Sequence, residues 1–150
     1  LLLANSGSAD VNAIDAEGDT PLLCTCDNGN AEVVLQLLNA GALCDTTNDL
    51  GQTPAITAAR TAHPRALHHL IHTGNADVAI ADSAHGMPPL IWAASLGYTN
   101  VVDVLLSAGA DHSPADNYSY TPVIYASMNG HVKVYSAARS PLSFSLFALN

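Results

Sequence analysis

Thr20-Pro21-Leu22, Thr53-Pro54-Ala55, Pro88-Pro89-Leu90 and Thr121-Pro122-Val123 are one short pattern written four times. Pro21, Pro54, Pro89 and Pro122 stand 33, 35 and 33 residues apart. The glycines keep step. Gly29, Gly97 and Gly130 each fall eight residues after one of these prolines, and Gly41, Gly74 and Gly109 each fall twenty after one. Gly7 reads as the same feature from a preceding unit whose front half would lie before residue 1. A fixed period of this length marks a chain built from stacked supersecondary units.

Each unit has a physical reading. Threonine before the proline is an N-cap, and proline in the first turn lacks only a donor that would be unpaired there anyway. A short helix runs to the first glycine, which can take the left-handed conformation that closes a helix. A second helix follows, as in Ala31-Glu32-Val33-Val34-Leu35-Gln36-Leu37-Leu38 and Asn100-Val101-Val102-Asp103-Val104-Leu105-Leu106. Both show the i, i+3, i+4 spacing of an amphipathic helix. The polar connection Ala42-Leu43-Cys44-Asp45-Thr46-Thr47-Asn48-Asp49-Leu50-Gly51 is too short and turn-rich for a helix, so it reads as a turn or β-hairpin. One such unit cannot bury both of its helices, but a stack of them can.

The chain resembles an ankyrin-repeat array over roughly residues 1 to 135. Thr20-Pro21-Leu22, Glu32-Val33-Val34 with Leu37-Leu38, Val101-Val102 with Leu105-Leu106, Gly109-Ala110-Asp111, Gly130-His131 and Ala9-Asp10-Val11-Asn12 carry the likeness. The resemblance implies an all-α, ankyrin-type α-solenoid of helix-turn-helix repeats joined by β-turn or hairpin loops. Residues 1–14 would close a preceding repeat; 15–47, 48–81 and 82–115 would be full repeats. Residues 116–140 would be a degenerate last repeat, and 141–150 an atypical tail. That tail, Leu142 to Leu149, fits a strand, an extra helix over the end, or boundary sequence. Leu1-Leu2-Leu3 reads as the end of a second helix, and the whole as a fragment of a longer protein.

Departures from the family pattern carry information. The histidine usual in the first helix is replaced by Leu23, Ile56, Ile91 and Ile124, so aliphatic packing is expected there. Pro88 stands where a capping threonine belongs, and Ala62 where a glycine does. Asn75 follows Gly74 as an inserted residue. In the last unit, Pro141 would stop the second helix early.

Composition narrows the function. Only 11% of residues are charged, against about 25% in an ordinary domain. Four basic residues, Arg60, Arg65, Lys133 and Arg139, face thirteen acids for a net charge of −9. So few cations cannot displace many phosphate counterions, which argues against nucleic acid and against a polybasic membrane contact. Lys133 lies in no glycine-rich loop, and no nucleophile elbow, His-Glu-x-x-His or dinucleotide motif occurs. The expectation is a chain with no catalytic residue, no cofactor and no metal. Three cysteines, Cys24, Cys26 and Cys44, are an odd and sparse set, which favours a reducing compartment and an intracellular, cytoplasmic location. They read as small buried apolar residues. His63, His68, His69 and His72 cluster, and His68 and His72 share a helix face, yet no third ligand lies in local register. They read as solvated surface histidines.

The acids are placed unevenly. Asp10, Asp15, Glu17, Asp19, Asp45, Asp49, Asp77, Asp82, Asp111 and Asp116 fall in the connections, ten of the thirteen, with no basic residue among them. Asp15, Asp82 and Asp116, with Asn48 in the second unit, match the residue with which the family braces its turn. One edge of the solenoid should therefore be negative and draw basic partners. The positions that such arrays use for contact hold Glu17, Asp19 and Asp27, then Leu50, Gln52 and Arg60, then Met87, Trp92 and Leu96, then Tyr118, Tyr120, Tyr125 and Met128. The groove grades from acidic to apolar and aromatic. The resemblance implies a non-catalytic protein-interaction module whose partner segment has a basic and an apolar end. Two alternatives stay open: a regulatory or targeting segment of a larger enzyme or channel, and a scaffold that self-associates through uncapped ends.

Overall fold

The computed structural model describes residues 10–139. Among the described residues eight helices follow in pairs: α1 (Pro21–Asn28) with α2 (Ala31–Asn39), α3 (Pro54–Arg60) with α4 (Pro64–His72), α5 (Pro89–Leu96) with α6 (Thr99–Ser107), and α7 (Pro122–Met128) with α8 (Val132–Arg139). Each helix touches its own pair-mate. Beyond that, α1, α3, α5 and α7 pack in sequence as one layer, and α2, α4, α6 and α8 as the second. The result is an all-α solenoid. The connections are tight turns, with no strand among the described residues. The expectations for Leu1 to Leu3 and for the tail after residue 140 lie outside the described residues.

The core lies between the layers. Leu22, Val34, Leu67, Leu70, Leu90, Val101, Val102 and Leu105 are closed to solvent, each contributing about 1.5–3 kcal/mol by burial. Alanines 55, 58, 59, 93, 94 and 126 are also buried, and their small side chains let successive first helices approach. Leu23, Ile56 and Ile91 are buried as expected, but Ile124, in the same register, is 38% exposed. No described helix packs on the far side of α7 to cover it.

Thr20 Oγ1 accepts from Leu23 N at 3.3 Å and Thr53 Oγ1 from Ile56 N at 3.2 Å, so the first two caps form. Thr121 corrects the pattern: it occupies the cap position of α7 but makes no side-chain cap bond. Thr20 and Thr53 are buried, where an unpaired hydroxyl is costly, whereas Thr121 is partly open and water can serve it. Pro88 also makes no cap bond, as its lack of a hydroxyl requires.

Two positions reserved for a left-handed residue are filled by side chains that resist it. Ala62 sits at φ 62° where Gly29, Gly97 and Gly130 have positive φ, and Ser119 at φ 64° where the other turns have Gly18, Gly51 and Gly86. Left-handed backbone costs a non-glycine residue about 1–2 kcal/mol. Ala62→Gly is therefore expected to stabilise the chain by about 1 kcal/mol, read from urea midpoints at constant slope. A lower midpoint would show that the turn carries no such strain.

Candidate protein-binding surface

The turns between units are built on one device. Asp15 Oδ1 accepts from the N–H groups of Glu17 (3.0 Å) and Asp19 (2.8 Å). Asn48 Oδ1 does the same for Leu50 (3.1 Å) and Gln52 (3.0 Å), and Asp116 Oδ1 for Tyr118 (2.9 Å) and Tyr120 (2.8 Å). Asp82 Oδ1 accepts from His85 N at 2.6 Å. The four expected braces are thus in place.

In the last two units the second carboxylate oxygen is also used. Trp92 Nε1 donates to Asp82 Oδ2 at 2.8 Å, and Tyr125 OH to Asp116 Oδ2 at 2.7 Å. Trp92 and Tyr125, expected as groove anchors, therefore spend their polar ends bracing their own turns. Burial raises the Asp116 carboxyl, but the Tyr125 hydroxyl and the N–H groups of Tyr120 and Tyr118 more than offset this and hold it below its ordinary 3.8. The same hydrogen bond pushes Tyr125 up to about 12. A raised tyrosine gives stability that is full below its unfolded value near 10 and lost as pH climbs through 12. A depressed carboxyl gives stability that is present above 3.8 and lost as pH falls through its folded value. The stability gap between the native chain and Tyr125→Phe should accordingly stay level between about pH 5 and 9 and shrink on both sides. Thermal melts across that range check it; a gap independent of pH would remove the bond from the account.

The turn tips are stitched unit to unit. Asp49 N donates to Glu17 O (3.2 Å), Ser83 Oγ to Leu50 O (3.0 Å) and Asn117 N to His85 O (3.0 Å). Asn48 Nδ2 donates to Asp19 Oδ1 at 2.8 Å, so Asp19 is partly spent as well. At the ends of the first helices, His63 Nε2 donates to Asp27 O and His131 Nε2 to Ser95 O, both at 3.1 Å. His63 is thereby separated from the surface cluster in which the sequence placed it. It bridges to the preceding unit, and its ring lies over Gly29. The signal was available: His63 and His131 stand at the same offset from Pro54 and Pro122.

Five of the thirteen expected contact residues converge. Leu50, Gln52, Arg60, Trp92 and Leu96 line a cleft of about 360 Å³ between the second and third units, with Ala84, His85, Tyr98 and Asp82, whose two oxygens are taken by His85 N and Trp92 Nε1. Leu50 (60% exposed) and Leu96 (40%) offer it apolar surface. Arg60 Nη2 lies 3.6 Å from Asp27 Oδ1. Glu17 and Asp27 are exposed on the N-terminal side. Tyr118, Tyr120 and Met128 are exposed on the C-terminal side, at 69%, 41% and 64%. Met87 is the exception, being 5% exposed and no surface anchor. The third turn has one more residue between its brace and its proline, so it closes through Asp82 N to Met87 O and tucks Met87 inward. A second cleft of similar size, lined by Asp77, Val78, Leu90, Asp111 and Pro114 among others, holds none of the expected residues.

The metal-ligating groups also sort differently from the sequence reading. His68 and His72 are exposed with ring centroids 4.2 Å apart, on the outer face of α4 as expected. The three-residue convergence of ligating atoms among the described residues is instead Asp15, Asp19 and Cys24, within 4.8 Å of one another. Cys24 is exposed, not buried as expected; it holds the groove-side register of Trp92 and Tyr125. Partial desolvation, then the Asp19 and Asp15 carboxylates, push its thiol up, which favours the protonated form at neutral pH. Cys26 is buried, and burial pushes it up to about 12. Cys44 is half-buried and donates to Gly74 O.

A two-layer stack of helix pairs with a lined groove and no strand among its described residues defines a repeat solenoid, an architecture that presents an extended surface to other proteins. The family model described as ankyrin repeats (3 copies) matches residues 1–82 and 63–137, and the chain belongs to the ankyrin-repeat family. It is similar to the tyrosine-protein kinase HTK16 of Hydra vulgaris, 38% identical over 112 residues, 75% of this chain and 15% of that one. It is 36% identical to neurogenic locus notch homolog protein 1 of Homo sapiens over 121 residues, 79% of this chain and 5% of that one. The ankyrin repeat, SAM and basic leucine zipper domain-containing protein 1 of Nomascus leucogenys is 33% identical over 115 residues, 71% of this chain and 23% of that one. The chain thus spans less than a quarter of these relatives. Ankyrin repeats are non-catalytic protein-interaction modules. No helix among the described residues is long and apolar enough to cross a membrane.

Proposed function

We propose that the chain binds a protein segment lying across its turns and first helices, inside the cell and without catalysis. One observation carries this reading: the cleft between the second and third units gathers five contact positions from one turn and two helices. The exposed acids Glu17 and Asp27 give the N-terminal rim its charge, and Tyr118, Tyr120 and Met128 give the C-terminal side its apolar surface. The partner segment is accordingly apolar at one end and basic at the other. Interface energy concentrates in aromatic anchors, while rim charges govern encounter. Tyr118→Ala or Tyr120→Ala is expected to weaken binding by about 2 kcal/mol. Glu17→Lys should slow association and flatten its salt dependence, leaving dissociation nearly unchanged. Surface plasmon resonance on a cognate partner separates these effects. Footprinting that placed the partner on the outer face of α4 and α6, around His68, His72 and Asp103, would move the site elsewhere.

The match to repeats of a tyrosine-protein kinase favours a second reading, in which the module serves a catalytic domain in the same polypeptide. It differs from the first only in where the partner segment resides.

A further inference from the structure

Among the four Lys and Arg residues, Arg60 alone lies on a first helix; Arg65, Lys133 and Arg139 lie on second helices. Its in-register counterparts are Asp27, Ser95 and Met128, so this cation occurs at one point of the array. It forms part of the wall of the cleft between the second and third units, whose apolar lining includes Leu50, Trp92 and Leu96. Thr57 stands where the third and fourth units carry Trp92 and Tyr125, so the second unit lacks the aromatic side chain that occupies this register in the units after it.

The Arg60 guanidinium is under-used. It carries five N–H donors in a planar fork. Its ion pair with Asp27 is a contact of 3.6 Å between side chains 38% and 56% exposed, a geometry that contributes little. Its Nε is shielded from solvent and has no hydrogen-bond acceptor. A shielded cationic N–H without an acceptor requires an explanation. The rest of the side chain is 38% exposed, so its remaining fork donors can be reached from the cleft.

We infer that this cleft recognises an acidic–apolar pair on the partner: a large aliphatic or aromatic side chain seated between Leu50, Trp92 and Leu96, and a carboxylate within two residues of it that takes Arg60 from Asp27. The inference rests on the groove reading above and specifies the chemistry at its centre. Charge complementarity selects the carboxylate. The guanidinium fork matches a carboxylate through two parallel bonds, and a lysine or arginine at the same place would meet Arg60 and be repelled. A basic end of the same partner finds Glu17 one unit away. Asp27 is then a competitor built into the site: it holds the guanidinium in the free chain and opposes the incoming carboxylate.

The test uses random dodecapeptides displayed on phage and selected on the immobilised 150-residue chain. Enriched peptides are synthesised, labelled and titrated by fluorescence anisotropy against the native chain, Arg60→Met, Arg60→Lys, Asp27→Asn and Leu96→Asp, each first shown to keep its helical circular dichroism. The expected consensus places Asp or Glu within two residues of Leu, Ile, Phe or Trp. Arg60→Met should weaken binding about ten- to hundredfold, since a hydrogen-bonded charge is lost. Arg60→Lys should fall between, and Asp27→Asn should bind about two- to fivefold more tightly. No enrichment, a consensus lacking the acid, or Arg60→Met binding as well as the native chain while Leu96→Asp abolishes binding would overturn the carboxylate inference. In the last case the groove reading still stands. Undiminished binding to Leu96→Asp would overturn both.

Discussion

Leu67→Ala is expected to destabilise the chain by about 2–5 kcal/mol, the cost of lost burial plus the cavity left behind. Leu67 is fully buried in α4, which packs against α2, α3 and α6. Little can move in to fill the void, because each of these helices is already committed to its own neighbours. In a stack held by nearest-neighbour contacts, a weak central unit also uncouples what lies on either side. The unfolding curve should therefore lose its single step. Trp92, the one tryptophan, reports on the third unit, while circular dichroism reports on all helices. Dichroism is expected to fall at lower urea than the Trp92 fluorescence changes. A loss below about 1 kcal/mol, outside the range for buried Leu→Ala, or coincident transitions, would mean that the second unit is not the keystone its burial implies.

Gly97→Val is the second large effect, at about 2–4 kcal/mol. Gly97 has φ 81°, and a Cβ there would lie 2.7 Å from His131 Nδ1. Valine pays the left-handed backbone cost of about 1–2 kcal/mol. It also displaces the His131 ring and with it the bond to Ser95 O, worth about 1–2 kcal/mol to stability. Gly130 is the internal control. It has φ 72°, but nothing lies within 4 Å of an added Cβ. Gly130→Val should bear the backbone cost alone. Hydrogen exchange should show the extra loss of Gly97→Val in α7 and α8, the pair that His131 ties to the third unit. Equal costs for the two variants would show that the histidine bracket contributes nothing.

The fold was legible because the proline and glycine constraints are local. Thr20-Pro21 and Gly29 set the ends of a helix by backbone chemistry that needs no knowledge of the rest of the chain. The bracing residues were legible through the family resemblance, and their chemistry is local: Asp15, Asn48 and Asp116 satisfy N–H groups two and four residues away. What escaped was chemistry between registers. His63 looked like a surface residue because Asp27 O lies 36 residues back. Trp92 and Tyr125 looked like free anchors because their bonds to Asp82 and Asp116 span a turn and a helix start. Met87 was misplaced by a single extra residue in its turn, and Cys24 by the assumption that a small apolar residue on a first helix must face inward. The acidic and apolar ends of the surface are expectations from the residues at the contact positions that the family resemblance marks. The cleft at Arg60 depends on how two units meet.

At the turn tips and the ends of the first helices the stitching between units has a direction, whereas at the ends of the second helices Asn12 and Cys44 donate forward to Gly41 O and Gly74 O. Asp49, Ser83 and Asn117 each donate to a turn tip that precedes them in the chain, and His63, His131, Thr61 and Asn129 donate to the end of an earlier first helix. A ribosome releases the acceptors first. Each unit leaving the exit tunnel thus meets a surface whose carbonyls are already held in place by a folded predecessor. The later segment needs only to lie down on it. Synthesis from the N-terminus and this part of the stitching run the same way, so each unit after the first is laid on turn-tip and first-helix carbonyls that are already made.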